Sequence, residues 1–246
     1  MKSINWYQAR VRLARLLGFE LLHSQQRYWK ALEELVRPGV DWLDLGCGWQ
    51  ITQDWAASLE RQAELARRAR RFVGADLDPG MAKHPLLDDR VFGSGEALPF
   101  RDGSFDLVTA NMVVEHLPDP ALVFGEVRRI LRPGGRFLFH TPNLRYYVIR
   151  TASLVPEAVK KPIVRLFDSR EDEDIFPTLY RANTPEDVRR SLAAAGLQED
   201  WVRLGGSVGE LQGLGLLGLP EVLILRLLET DALRRYSVTI MACSRR

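Results

Sequence analysis

Short apolar runs alternate along this chain with longer stretches whose apolar residues recur at helical spacing, a pattern that predicts a layered α/β fold. Residues 4–36 carry Trp6, Leu13, Leu16, Leu17, Leu21, Tyr28, Leu32 and Leu35 at broadly helical intervals, which predicts one or two helices before Pro38-Gly39 stops them. A short apolar strand at 40–45 runs straight into Gly46-Cys47-Gly48, and a helix is expected over about 53–70. A second strand at 72–75 ends in Asp76, a short one is expected at 90–92, and a stronger one at 105–110 ends at Asn111. The helix over about 121–131 closes at Arg132-Pro133-Gly134-Gly135, a combined stop and turn signal, and a strand follows at 136–140. Near-continuous apolar strands separated by helices belong to a parallel sheet covered on both faces, with right-handed crossovers.

After Pro142-Asn143 the rhythm breaks. Residues 144–181 are longer than an ordinary strand-to-helix connection, and inserts of this kind are commonly lids or substrate caps. Order resumes at Thr184-Pro185-Glu186-Asp187, where Thr184 suits the N-cap, Pro185 the first helical position and Asp187 the acid of a capping-box-like start; Gly196 ends that helix. Strands at 201–204 and 236–242, with an apolar helix at about 220–230 between them, complete the pattern. One domain is expected over 1–246, divided into N-terminal helices (1–37), a ligand-binding core (40–143), a cap insert (144–183) and the C-terminal part of the sheet (184–246).

With 246 residues, 46% of them hydrophobic, the chain can bury one substantial core. Lys and Arg number 34 against 32 Asp and Glu, too even a balance for a partner held mainly by its phosphates, so nucleic acid is not expected. The run Arg67-Arg68-Ala69-Arg70-Arg71 reads as a solvated helix end favoured by the helix dipole. Cys47 and Cys243 and the four histidines show neither metal-ligand nor disulfide-framework spacing, so no metal is expected and a reducing cytoplasm fits. Residues 1–18 intersperse Arg10, Arg12 and Arg15 among apolar residues and lack the core of a secretory signal. The apolar stretch 211–228 is broken by Pro220, Glu221 and Arg226, so no transmembrane segment is expected there. Its helix, apolar around most of its circumference at 222–228, suits burial, a homodimer contact or a membrane-surface patch presenting a lipid-linked acceptor.

Open parallel sheets bind ligands beyond the carboxyl ends of their strands, near the point where strand order reverses. Asp44-Leu45-Gly46-Cys47-Gly48 falls at such a position. Glycines at 46 and 48 permit close backbone approach and dihedrals that other residues resist. Asp44 is placed to organise the loop or to face a ligand ammonium, and Asp76 offers the acceptor pair that a ribose diol needs. The dinucleotide fingerprint requires a further glycine three positions after Gly48, but Ile51 stands there, which disfavours a nicotinamide enzyme.

Six ordered blocks carry a resemblance: Leu43-Asp44-Leu45-Gly46-Cys47-Gly48, Val73-Gly74-Ala75-Asp76-Leu77-Asp78, Gly95-Glu96-Ala97-Leu98-Pro99-Phe100, Ser104-Phe105-Asp106-Leu107-Val108, Glu115-His116-Leu117 and Leu131-Arg132-Pro133-Gly134-Gly135. Over residues 42–143 the chain resembles the class I S-adenosylmethionine (SAM)-dependent methyltransferases, in particular the small-molecule branch of the ubiquinone and menaquinone methylation type. The resemblance implies a Rossmann-like fold: a seven-stranded, mostly parallel sheet with an antiparallel last strand, helices on both faces and a helical cap insert. It further implies SAM as cofactor and methyl transfer to a small-molecule or lipid-linked acceptor. By the same resemblance Gly46 and Gly48 would line the methionine portion, with Asp44 and Cys47 in the same loop. Asp76 would take the ribose hydroxyls, Leu77 would pack on adenine, Ser94, Gly95 and Glu96 would border its edge, and Asn111 would sit beside the sulfonium. The family usually has a small residue and another glycine where this chain has Trp49-Gln50, so the loop must bend differently. The competing reading is a noncatalytic binding module of the same fold. An RNA methyltransferase is a third, against which Asn111-Met112-Val113 lacks the Asn/Asp-Pro-Pro-aromatic motif of exocyclic base methylation.

Methyl transfer needs an in-line nucleophile, placement and desolvation, and a hydroxyl acceptor gains from a general base. His116, just past the strand ending at Asn111, is the first candidate for that base, a loop anchor being the alternative. His140 ends the following strand, and Tyr146, Tyr147, Tyr180 and Arg181 lie in the insert or at its exit. These five are the candidate acceptor-pocket residues, with cap packing as the alternative.

Overall fold

The computed structural model describes residues 6–154, 177–209 and 211–246. Its strands β1 (Asp41–Leu45), β2 (Arg71–Asp76), β3 (Asp89–Phe92), β4 (Phe105–Asn111), β5 (Leu131–Pro142), β6 (Gln198–Gly205) and β7 (Thr239–Arg245) form one sheet in the order β3-β2-β1-β4-β5-β7-β6. Strands β1 to β5 pair in parallel, and β7 lies antiparallel between β5 and β6. This is the Rossmann-like arrangement expected, antiparallel last strand included. The chain winds outward from β1 in one direction and then, from β4, in the other, so the carboxyl ends of β1 and β4 flank the switch-point crevice.

Helices α1 (Trp6–Leu16), α2 (Ser24–Leu35), α3 (Leu59–Ala66), α4 (Pro120–Ile130), α5 (Tyr147–Leu154), α6 (Pro185–Ala194) and α7 (Leu219–Leu228) surround the sheet. On one face Tyr28, Trp29 and Leu32 of α2 pack with Trp42, Phe72, Leu107 and Leu138. On the other, Val123, Phe124 and Val127 of α4 and Val188 and Leu192 of α6 pack with Leu43, Val108, Phe137 and Phe139. Successive β5 residues therefore serve opposite cores, as the pleat requires, and both cores are buried. That double burial is why the strands read as continuous apolar runs. A third cluster, with Ala14, Leu21, Tyr146, Val208, Val222, Leu225 and Val238, sits beyond the ends of β5 and β6 and joins α1 to α7.

Several boundaries differ from expectation for local reasons. The stretch 4–36 holds two helices because Gly18, at φ +75°, ends the first. The helix expected at 53–70 is only α3, which begins where Ser58 accepts a bond from the Arg61 amide, after turns through 49–57. Strand β5 starts at Leu131, because the Arg132-Pro133-Gly134-Gly135 segment stays in the sheet through an irregularity between Phe105 and Leu107. Strand β7 starts only at Thr239, since Arg234–Tyr236 forms a 3-10 turn. Helix α6 is capped as anticipated, with the Asp187 amide donating to Thr184 Oγ1 at 3.2 Å. Of the insert, residues 155–176 lie outside the described residues. Among the described residues no helix is long and apolar enough to cross a membrane.

Candidate active site

The crevice is built from the turn after β1. Gly46 and Gly48 adopt φ values of +66° and +50°, which a side chain resists. A Cβ at Gly46 would come within 2.3 Å of Val113 Cγ2, so the loop lies directly on the segment after β4. A Cβ at Gly48 would meet nothing within 4 Å, so its backbone borders open space that a ligand can enter. The Asp76 carboxylate, at the tip of β2, bridges loop and strand: Oδ2 accepts from the Gly48 amide at 2.8 Å and Oδ1 from the Asp78 amide at 2.9 Å. Trp49 does not fill the crevice; it is 56% exposed. Leu77 and Met112, after β2 and β4, are exposed with it, giving an apolar rim around a fixed carboxylate. Carboxylate, approachable glycine backbone and apolar rim fit the sugar, amino-acid and adenine parts of an adenosyl cofactor.

Below the crevice the α2-facing side of the sheet carries a polar row. The sheet register sets Asp44 opposite Thr109 and Asn111 opposite His140. Asp44 is buried and its Oδ1 accepts from Thr109 Oγ1 at 2.5 Å, while Trp42 Nε1 donates to the same hydroxyl at 2.7 Å. Burial pushes the Asp44 carboxyl up to about 7, against the lowering effect of the Thr109 bond. Of the two roles considered for Asp44, the observed contacts are those of a residue organising the base of the loop. Cys47 is buried against Gly74, and its thiol is pushed upward by burial, so any ligand contact there is through its backbone.

Asn111 is the hub of a network that includes residues not singled out in the sequence. Its Nδ2 donates to Gln25 Oε1 at 2.8 Å, and its Oδ1 accepts from Gln25 Nε2 at 3.3 Å. Thr52 Oγ1 also donates to Gln25 Oε1, at 3.2 Å, so the first turn of α2 straps the loop after β1 to the end of β4. His140 Nδ1 lies 3.0 Å from Asn111 Oδ1, which only accepts, so Nδ1 carries the proton. Nε2 is then a buried lone pair with no partner among the described residues. Burial lowers the His140 pKa to about 3, and the ring stacks on Tyr28, so His140 is a neutral acceptor sealed beneath α2.

The remaining candidates sit apart from the crevice floor. Ser94 Oγ accepts from the Glu96 amide at 3.2 Å, and a Cβ at Gly95 would lie 3.2 Å from Val123, which makes a tight turn beyond β3. His116 Nδ1 lies 3.1 Å from the Pro177 carbonyl, where the insert returns, and its Nε2 lies 4.0 Å from Glu115. Glu115 itself is buried, accepts from Thr141 Oγ1 at 3.0 Å, and is pushed up to about 7 by burial. Its backbone carbonyl receives the Leu179 and Tyr180 amides, and Tyr180 adopts φ 52° to make that contact. Tyr146 is fully buried in the cluster under α7, Tyr147 is exposed with its hydroxyl 3.4 Å from Glu221, and Arg181 is exposed. Among the described residues no group of acidic, His and Cys side chains could hold a metal.

Comparison with known proteins identifies the family. The sequence profile of the family described as "Methyltransferase domain" matches residues 43–139. A Mycolicibacterium smegmatis protein described as a "probable S-adenosylmethionine-dependent methyltransferase" is 32% identical over 202 residues, 77% of this chain and 72% of that protein. A malonyl-[acyl-carrier protein] O-methyltransferase from Erwinia billingiae is 36% identical over 137 residues, 55% of this chain, and the match spans only 48% of that relative. Among solved structures, a SAM-dependent methyltransferase from Mesorhizobium loti superposes with a TM-score of 0.54 at 18% identity, covering 89% of this chain and 97% of that one. The chain belongs to the SAM-dependent methyltransferase family.

Proposed function

We propose that the chain is a single methyltransferase domain that moves a methyl group from SAM to a small-molecule or lipid-linked acceptor held beneath its cap, in the cytoplasm. The observation carrying the site assignment is the Asp76 carboxylate, pinned by the Gly48 and Asp78 amides at the lip of open space. Fixed in this way, it meets the ribose hydroxyls without reorganising. Gly46 and Gly48 admit the amino-acid portion, Leu77 covers adenine, and the Ser94-Gly95-Glu96 turn borders its edge. When bound, SAM supplies a methyl group already activated as a sulfonium, so the protein's task is placement and exclusion of water. Asn111, held by the α2 strap, would sit beside the sulfonium end of the cofactor. For a hydroxyl acceptor, His116, with a side chain 30% exposed, is the proposed base, His140 being sealed. Tyr147, Tyr180 and Arg181 then contribute to the acceptor side, and Tyr146 supports them from within the cap. The relatives named above include one that acts on a carrier-linked acyl group, which supports an acceptor of this general kind.

Titration calorimetry with SAM and S-adenosylhomocysteine tests the assignment. Wild type should bind both. Asp76→Ala should bind at least about tenfold more weakly, as loss of a charge-assisted contact predicts, while its circular dichroism stays native. Equal affinity of the variant would remove Asp76 from the site, and no binding by folded wild type would remove the proposal.

A further inference from the structure

We propose that the outer face of α7 with its lead-in turn, together with the open side of α1, docks on an anionic lipid surface. The proposal sharpens the lipid-linked reading of the acceptor but stands on residues outside the SAM crevice. Helix α7 is apolar on two sides. Val222, Leu225 and Leu228 point into the third core cluster, while Leu223, Ile224 and Leu227 form a second stripe facing solvent. Leu216 and Leu217 extend that stripe at 62% and 74% exposure, and Leu16 at the end of α1 is 84% exposed. Soluble surfaces carry large apolar side chains singly; a group of this size marks a contact.

The two helices are tied to each other. The buried Arg10 guanidinium of α1 donates to Glu221 of α7 at 2.9 Å and to the carbonyls of Gly218 and Val208. A hollow of about 570 Å³ opens along α1, with Tyr7, Val11, Phe19 and Leu21 in its wall beside Arg15 and Glu20.

Charge selects the occupant. Arg12 and Arg15 are exposed on α1 and have no ion-pair partner among the described residues, and Arg235 has only the Tyr236 ring. Arg12 and Leu16 stand four apart and share a side of the helix. Among the described residues, the carboxylates of this region each have a cation within 4 Å: Glu221 has Arg10, Glu229 has Arg27, Asp231 has Arg234 and Glu20 has Lys30. The unpaired charge on α1, beside the exposed Leu16, is therefore positive. A second copy of the chain would bring the same arginines to the contact, with no unpaired carboxylate among the described residues of this surface to receive them. An anionic bilayer supplies both complements, phosphates for Arg12 and Arg15 and acyl chains for the leucines. The surface also adjoins the carboxyl edge of the sheet, since Tyr147, five residues beyond the end of β5, reaches Glu221.

The test is co-sedimentation of the full chain with vesicles of phosphatidylcholine, with and without phosphatidylglycerol, alongside light scattering for its oligomeric state. Wild type should partition onto the phosphatidylglycerol vesicles. Arg12→Glu with Arg15→Glu, and separately Leu217→Ser with Ile224→Ser, should each weaken partitioning by about tenfold or more. SAM binding measured calorimetrically on the same variants should be unchanged, so failure of the methyltransferase reading would appear there and not in the vesicle assay. Absence of vesicle binding, or binding indifferent to both pairs of substitutions, overturns the proposal. So does a dimer that ignores vesicles and dissociates on Leu217→Ser with Ile224→Ser.

Discussion

Glu115 shows how one buried side chain can set the pH response of this molecule. It sits at the joint where the insert returns, its carboxyl accepting from the Thr141 hydroxyl, and burial raises it from about 4.5 to about 7 against the lowering effect of its hydrogen bonds. A folded-state pKa above the unfolded value means that the native state keeps a proton the unfolded chain has already released. The stabilisation is complete below about pH 4.5 and declines as pH rises through about 7. Asp44, also raised to about 7 by burial, acts in the same direction, whereas neutral His140, lowered to about 3, costs stability as pH falls below about 6.5. Glu115→Gln keeps an oxygen for Thr141 and has no proton to lose. Its melting temperature relative to wild type should therefore climb steadily between pH 4.5 and 7 and level off above, with the Asp44 and His140 contributions cancelling in the comparison. Calorimetric scans of the two proteins across that range check this, and parallel curves would show that Glu115 titrates normally.

At the scale of elements, helix α2 does more than cover a core. Its buried side holds Tyr28, Trp29 and Leu32, while its first turn carries Gln25, whose amide binds Asn111 on β4 and Thr52 in the loop after β1. Three neutral hydrogen bonds at about 0.5–1.5 kcal/mol each would hold that turn closed by on the order of 1–4 kcal/mol. Gln25→Ala should accordingly speed amide hydrogen exchange at residues 24–28 while leaving the β4 and β5 amides protected; unchanged exchange would mean that core packing alone fixes the turn. The strands were legible in the sequence because a sheet covered on both faces writes itself as apolar runs, and α6 because Thr184-Pro185 spells a cap. Helix α3 was overread, since the apolar residues at 55–57 belong to turns that pack without helical bonding. The strap was invisible for a different reason: a glutamine on a helix is ordinarily a solvated residue, and nothing local distinguishes one whose partner lies 86 positions away.

The same limit governs the molecule as a whole. That Asp76 and the glycines after β1 lie at strand tips was legible because chain order alone places them there. The tie between the two ends of the chain could not, because its partners, Arg10 and Glu221, are 211 positions apart and each reads as an ordinary surface charge on a helix. Both side chains are fully buried. The loop through Gly209 closes so tightly on the pair that a Cβ there would come within 2.3 Å of Glu221 Oε2. A buried ion pair contributes little net stability over an apolar pair of similar volume, because desolvation offsets the attraction, but breaking it from one side strands a charge. Glu221→Ala should therefore cost about 3–5 kcal/mol in urea unfolding, whereas Arg10→Met with Glu221→Leu should cost far less than the single change. That inequality separates a specificity-giving clamp from a simple sum of contacts. If the double variant were instead as unstable as the single one, the hydrogen bonds from Arg10 to the Gly218 and Val208 carbonyls, rather than the ion pair, would be what fastens the first helix to the last.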